Sequence, residues 1–151
     1  EFYFGDDVRS VSTLLGSCVA IVVWHPKTRI GGMCHIVLPH HGQKDCSNKY
    51  ANCAIANFIR CIKEVNTRPQ DYLAYIYGGG AMFASTIKAK NSIGKRNVEV
   101  VRKMLLKRKF VIEGEDTCGN CYRKIKLDIA TGSIDLKSVD VEEAQKVVLH
   151  G

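Results

Sequence analysis

The residues best suited to covalent chemistry are Cys18 and His35, one on each arm of a segment that reads as a β-hairpin. If Cys18–Trp24 and Arg29–Leu38 pair around Pro26-Lys27, Cys18 lies directly across from His35. Opposed Cβ atoms in such a pair are about 4.5 to 5.5 Å apart, close enough for a thiol to meet an imidazole. An imidazolium beside a thiol lowers the thiol pKa and leaves a thiolate nucleophile at neutral pH, with no metal required. Gly16 and Ser17, just before the cysteine, let the backbone turn tightly, so that amide N–H groups there can face a developing oxyanion. Register alone does not exclude the plainer alternative, a buried core cysteine opposite a satisfied core histidine, because every hairpin pairs something with something.

The elements that must position this pair follow from hydrophobic periodicity. Val8–Leu15 reads as a strand ending at the Gly16-Ser17 turn. Cys18–Trp24 is apolar at every position, the pattern of a strand covered on both faces. Ile30–Leu38 is its partner. From Ser47 the apolar residues Ala51, Ile55, Phe58, Ile59, Ile62 and Val65 recur at three and four, which predicts an amphipathic helix ending before Arg68-Pro69. Leu73–Tyr77 is a short strand running into Gly78-Gly79-Gly80, taken as tight backbone packing because it lacks the Lys-Ser/Thr of a phosphate loop. A second helix is predicted from Asn97 as N-cap through Val98, Val101, Leu105 and Leu106, then a strand at Phe110–Ile112. Alternation of Ile125, Leu127 and Ile129 with Lys124, Lys126 and Asp128, mirrored at Ile134 and Leu136, predicts a hairpin with one wet face. The expected fold is a layered α/β sandwich of largely antiparallel strands with about two main helices, in one domain spanning residues 1–151.

Composition narrows the functional classes. Apolar residues make up 46% and charged residues 25%, the balance of a globular chain with a real core. The longest apolar run is far short of the roughly 20 residues of a membrane-spanning helix, so no membrane insertion is expected. Twenty-two basic against fifteen acidic side chains give a net charge of +7, which favours an acidic partner or simply solubility. Nothing resembles a nucleic-acid-binding motif or a stacking platform, so nucleic acid is not the expected partner. Seven cysteines, an odd number, with no secretory signal pattern at the start, predict a reducing, cytoplasmic setting. His25, His40, His41 and His150 read as surface residues. Cys118 and Cys121 form a C-x-x-C, for which side-chain packing is preferred over zinc or redox chemistry; no metal or other cofactor is expected.

Five segments in chain order carry a stronger signal. They are Thr13-Leu-Leu-Gly-Ser-Cys-Val-Ala-Ile-Val-Val-Trp-His-Pro26, Ile30-Gly-Gly-Met-Cys-His-Ile-Val-Leu-Pro39, Gly78-Gly-Gly-Ala-Met-Phe83, Ser92-Ile-Gly-Lys-Arg-Asn97 and Glu115-Asp-Thr-Cys-Gly-Asn-Cys-Tyr-Arg123. Together they resemble the CheD family of chemoreceptor glutamine deamidases. The resemblance implies a three-layer α/β sandwich and a Cys-His-Thr constellation that hydrolyses receptor glutamines to glutamate through a thioester. The cysteine falls on Cys18 and the histidine on His35. The hydroxyl falls on Ser12 if the motif is matched without a gap, or on Thr13 with one deletion; Thr13 is favoured because it keeps the following Leu in place. Methyl-accepting chemotaxis receptors are the implied partners, with a CheC-type phosphatase as another. Phe83 is a candidate anchor for either, and Lys95 and Arg96 are candidate contacts for a glutamate-rich receptor helix. Where the family usually has Asp-Thr-Gly-Gly-Asn-Arg, this chain has Asp116-Thr-Cys-Gly-Asn-Cys121, so the usual Arg is lost at 121 while Arg123 remains.

Overall fold

The computed structural model describes residues 1–37, 46–82 and 93–141. Strand β1 (Phe2–Gly5) precedes β2 (Ser10–Leu15), β3 (Val19–Trp24) and β4 (Gly31–Ile36). Helix α1 (Ala51–Glu64), β5 (Leu73–Gly78), helix α2 (Ile93–Lys107), β6 (Val111–Thr117), β7 (Cys121–Asp128) and β8 (Ile134–Asp140) follow. The strands form two sheets, a five-stranded one in the order β1-β4-β3-β5-β6 and a three-stranded one in the order β2-β7-β8. All pairings are antiparallel except β5 with β6, which α2 connects and which is parallel. This is the expected α/β sandwich.

Side-chain parity on β3 explains the layering. Val19, Ile21 and Val23 face the helices and join Phe58, Ile62, Val101 and Leu105 in one core. Ala20 and Val22 face the other way and meet Leu15, Ile125, Leu127 and Ile129 of the small sheet in a second core. A strand with apolar side chains on both faces is what a central layer requires, and fully burying a side chain such as Phe58 or Ile62 contributes about 1.5 to 3 kcal/mol. Helices α1 and α2 each turn one apolar stripe to the sheet, at the three- and four-residue spacing that the sequence predicts. Trp24 ties the layers at one end by donating its indole N–H to the Ile129 carbonyl at 2.8 Å.

Four expectations change. The turn after β3 is not the two-residue Pro26-Lys27 turn. His25 is buried rather than on the surface, and its Nδ1 accepts the amides of Lys27 and Thr28 while its backbone pairs with Ile30. That leaves a longer loop with Arg29 at positive φ, and the register moves so that Ala20, not Cys18, lies directly across from His35. Strand β2 pairs with β7 in the small sheet, so the chain changes sheet between β2 and β3. Helix α2 begins at Ile93, so Asn97 is not a cap. Its side chain is fully buried, with Nδ2 donating to the Val37 carbonyl at 3.1 Å and Oδ1 without a partner among the described residues. Finally, Cys46 and Cys53 are joined as a disulfide at the start of α1, a pairing that composition did not suggest.

Candidate active site between the two sheets

The slip in register keeps Cys18 and His35 on one face. Side chains alternate along a strand, so a shift of two residues restores the same side, and extending the register by one residue makes Cys18 a diagonal neighbour of His35. Cys18 packs against the core between the two sheets, as do Ala20 and Met33, the latter two residues before His35 on the same strand. From the opposite sheet, Thr13 takes the inward parity of β2 between Val11 and Leu15. Thr13 Oγ1 lies 2.8 Å from His35 Nδ1. Ser12 points the other way and is exposed. Of the two candidate hydroxyls, then, Thr13 is the one that touches the imidazole.

Cys18 sits where the chain crosses from the small sheet to the large one, and four backbone hydrogen bonds hold that crossing. The Gly80 amide donates to the Gly16 carbonyl and the Gly79 amide to the Cys18 carbonyl, while the amides of Cys118 and Ala81 donate to Gly78 and Gly119. The glycine run is therefore a clamp on the cysteine turn, in keeping with its reading as tight packing. Gly16 and Ser17 are half-buried in this turn.

A buried guanidinium locks the clamp. Arg123 is only 4% exposed, yet it donates to the carbonyls of Cys118 and Gly78 and pairs with Asp116. Burying a guanidinium is tolerated because these partners satisfy it. Sequence analysis assigned it no part, although the signal was there: Arg123 shares the parity of Ile125 and Leu127, so it must point into the core. Of the remaining candidates, Lys95 and Arg96 are exposed on the first turn of α2, beside Gly94, which packs on Gly79. Phe83, His40 and His41 lie outside the described residues. Cys118 occupies the β6–β7 turn at positive φ, with Cys121 Sγ 3.9 Å from its carbonyl oxygen.

The electrostatics differ from the expected thiolate–imidazolium pair. Burial pushes the Cys18 thiol above its ordinary value. It pushes the His35 imidazole below its own, with the Glu1 carboxylate opposing. Both shifts favour uncharged partners, because a half-buried site solvates neither ion well. A cleft of about 130 Å³ opens beside His35 and Thr13, lined by Glu1, Tyr3 and Met33 among others, and Cys18 is not part of its lining.

Between the two sheets the Thr13 hydroxyl touches the His35 imidazole and the Cys18 thiol shares their face, and these are the residue types from which cysteine hydrolases are built. Comparison with known proteins narrows the class. Residues 37–138 match the family model described as CheD chemotactic sensory transduction, and the chain belongs to the CheD family. It is 33% identical over 97% of its length to a probable chemoreceptor glutamine deamidase CheD 1 of Chromobacterium violaceum, of which it covers 78%. A probable chemoreceptor glutamine deamidase CheD 3 of Dechloromonas aromatica is 33% identical over the whole chain and 91% of that relative. The chemoreceptor glutamine deamidase CheD of Thermotoga maritima is 38% identical over 83% of this chain and 78% of its own.

If Thr13 orients the imidazole, Thr13→Ala should lower kcat about tenfold or more with little change in KM. Ser12→Ala, on the exposed face, should stay within about twofold of the parent. Equal rates in the two variants would remove Thr13 from the site.

Proposed function

We infer that the protein hydrolyses glutamine side-chain amides of chemoreceptors to glutamate, with Cys18 as nucleophile, His35 as proton carrier and Thr13 as the group that orients it. The observation that carries this reading is the Thr13–His35 hydrogen bond on the face that also holds Cys18. Bonding of Nδ1–H to the threonine oxygen leaves Nε2 as the nitrogen for proton transfer. His35 takes the Cys18 proton as sulfur attacks the amide carbon, and gives it to nitrogen as the C–N bond breaks and ammonia departs. Water then attacks the thioester with His35 as base; the C–S bond breaks and the proton returns to sulfur. Backbone amides of the Gly16–Ser17–Cys18 turn are the donors assigned to the oxyanion. This reading sets the protein to work beside the cytoplasmic part of a receptor, and no helix among the described residues is long and apolar enough to cross a membrane.

The test is incubation with a receptor cytoplasmic fragment and mass spectrometry of its peptides, where each converted glutamine gains about one dalton as NH₂ becomes OH. No gain under any condition would sink the reading. The pH dependence has a definite sign. His35 must be neutral to accept the thiol proton, and burial lowers its pKa. The rising limb of kcat/KM should therefore fall below the ordinary imidazole value of about 6.5. A limb above that value would mean that a charged neighbour, and not burial, governs the imidazole.

A further inference from the structure

The outer face of the small sheet carries an apolar groove that the chemistry above does not use. Alternation aims Leu14 of β2, Tyr122 and Lys124 of β7, and Lys137 and Val139 of β8 to this side. Leu14 is 70% exposed, Tyr122 45% and Val139 48%. With Gly16 they line a groove of about 480 Å³ whose walls are mostly apolar. Grouped exposure of this kind marks an interaction surface more often than chance.

Charge indicates the occupant. Lys124 and Lys137 are directly cross-strand partners, and like charges in that position destabilise a sheet. Neither lysine has a carboxylate within ion-pair distance among the described residues. In the next row Lys126 faces Asp135, so the unmatched pair is confined to the groove. Two uncompensated lysines flanking three exposed apolar side chains are complementary to an apolar stripe edged with carboxylates. An extended peptide would seek a sheet edge, where backbone groups are open. This groove lies on the face instead, where only side chains are offered. Three strands span about 10 Å, the diameter of one helix.

We propose that this groove docks an acidic amphipathic helix of the substrate receptor. The proposal rests on the function inferred above and deepens it. Gly16 forms one end of the groove, while Cys18, two residues on, faces the inner side of the sheet, so the groove is a docking surface on the opposite face from the thiol. Docking energy then comes from a surface apart from the catalytic groups, and a short free glutamine peptide should be a poor substrate.

The test separates docking from chemistry. In a Cys18→Ala background, affinity for a receptor cytoplasmic fragment is measured by calorimetry, so turnover does not enter. Lys124→Glu/Lys137→Glu should weaken binding about tenfold or more, and Leu14→Ser should weaken it too. In the active enzyme the same changes should raise KM and leave kcat and iodoacetamide labelling of Cys18 as they were. Lys103→Glu/Lys107→Glu, on the exposed side of α2 in the far layer, removes the same charge elsewhere and should matter little. Unchanged affinity in the groove variants, an equal loss in the α2 control, or absence of wild-type binding would each overturn the proposal. So would sedimentation showing a wild-type dimer that the groove changes dissolve, since the occupant would then be a second copy. If groove changes abolish binding while wild-type enzyme yields no mass gain, docking stands and the deamidase reading fails.

Discussion

Cys18→Ala is expected to abolish deamidation, with a fall in kcat of at least about 10⁴-fold, while the protein folds as before. A methyl group cannot form a thioester. Cys18 is half-buried at the end of a turn whose hydrogen bonds are all made by backbone atoms, so losing the sulfur should cost no more than about 1 kcal/mol. Cys34 provides the contrast. It points to the helix-side core, is buried, and burial raises its thiol to about 12. Cys34→Ala should lower stability by about 1 to 2 kcal/mol and leave the rate per folded molecule alone. Thermal melts and turnover measured on both variants check this, and substantial activity in Cys18→Ala would discard the nucleophile. Because burial also raises the Cys18 thiol, its labelling by iodoacetamide should accelerate with pH to beyond the range of an ordinary cysteine.

The parts of the fold that repeat a period were readable from the amino acids. β3 is apolar at every position because it is the middle layer, α1 carries one stripe because only one side is covered, and β7–β8 alternates because its outer face is wet. What escaped depended on single side chains acting on backbone. The β3–β4 register differs from the expected one because a histidine ring accepts two loop amides, which no hydrophobic pattern encodes. Asn97 has the residue type of a cap and the position of a core residue, and only the helix's neighbours decide between them. Strand β1 is four residues of intermediate burial, too short to show a period.

Cys18 and His35 share a face despite the different register, and for a physical reason. Strand periodicity of two makes a slip of one residue fatal to a shared face and a slip of two harmless to it. The histidine stayed on the inner side and lost only its place directly opposite the thiol. Motif alignment favours Thr13 over Ser12, and parity on β2 reaches the same preference independently, since Thr13 shares the inward side of Val11 and Leu15.

Gly78→Ala is the second change with a large expected effect, and it tests the clamp rather than the chemistry. Gly78 has φ of +105°, a region that side chains avoid, and a Cβ there would stand 2.2 Å from the Cys18 carbonyl oxygen. That oxygen accepts the Gly79 amide, and the Gly78 carbonyl accepts from Cys118 and Arg123, so the peptide cannot shift alone. The cysteine turn must move, and displacement of a reacting atom by about 1 Å lowers rates about 100-fold. Strain of this kind should also cost about 1 to 3 kcal/mol of stability. Gly119→Ala separates the two effects. Its φ is +72°, also on the positive side that side chains rarely adopt, but nothing lies within 4 Å of the added atom. It should lose stability on a similar scale and keep its rate. If both variants lost activity equally, backbone strain would be the common cause and the contact with Cys18 irrelevant. If Gly78→Ala alone kept the parent rate and the parent labelling of Cys18, the glycine run would be packing without a hold on the nucleophile.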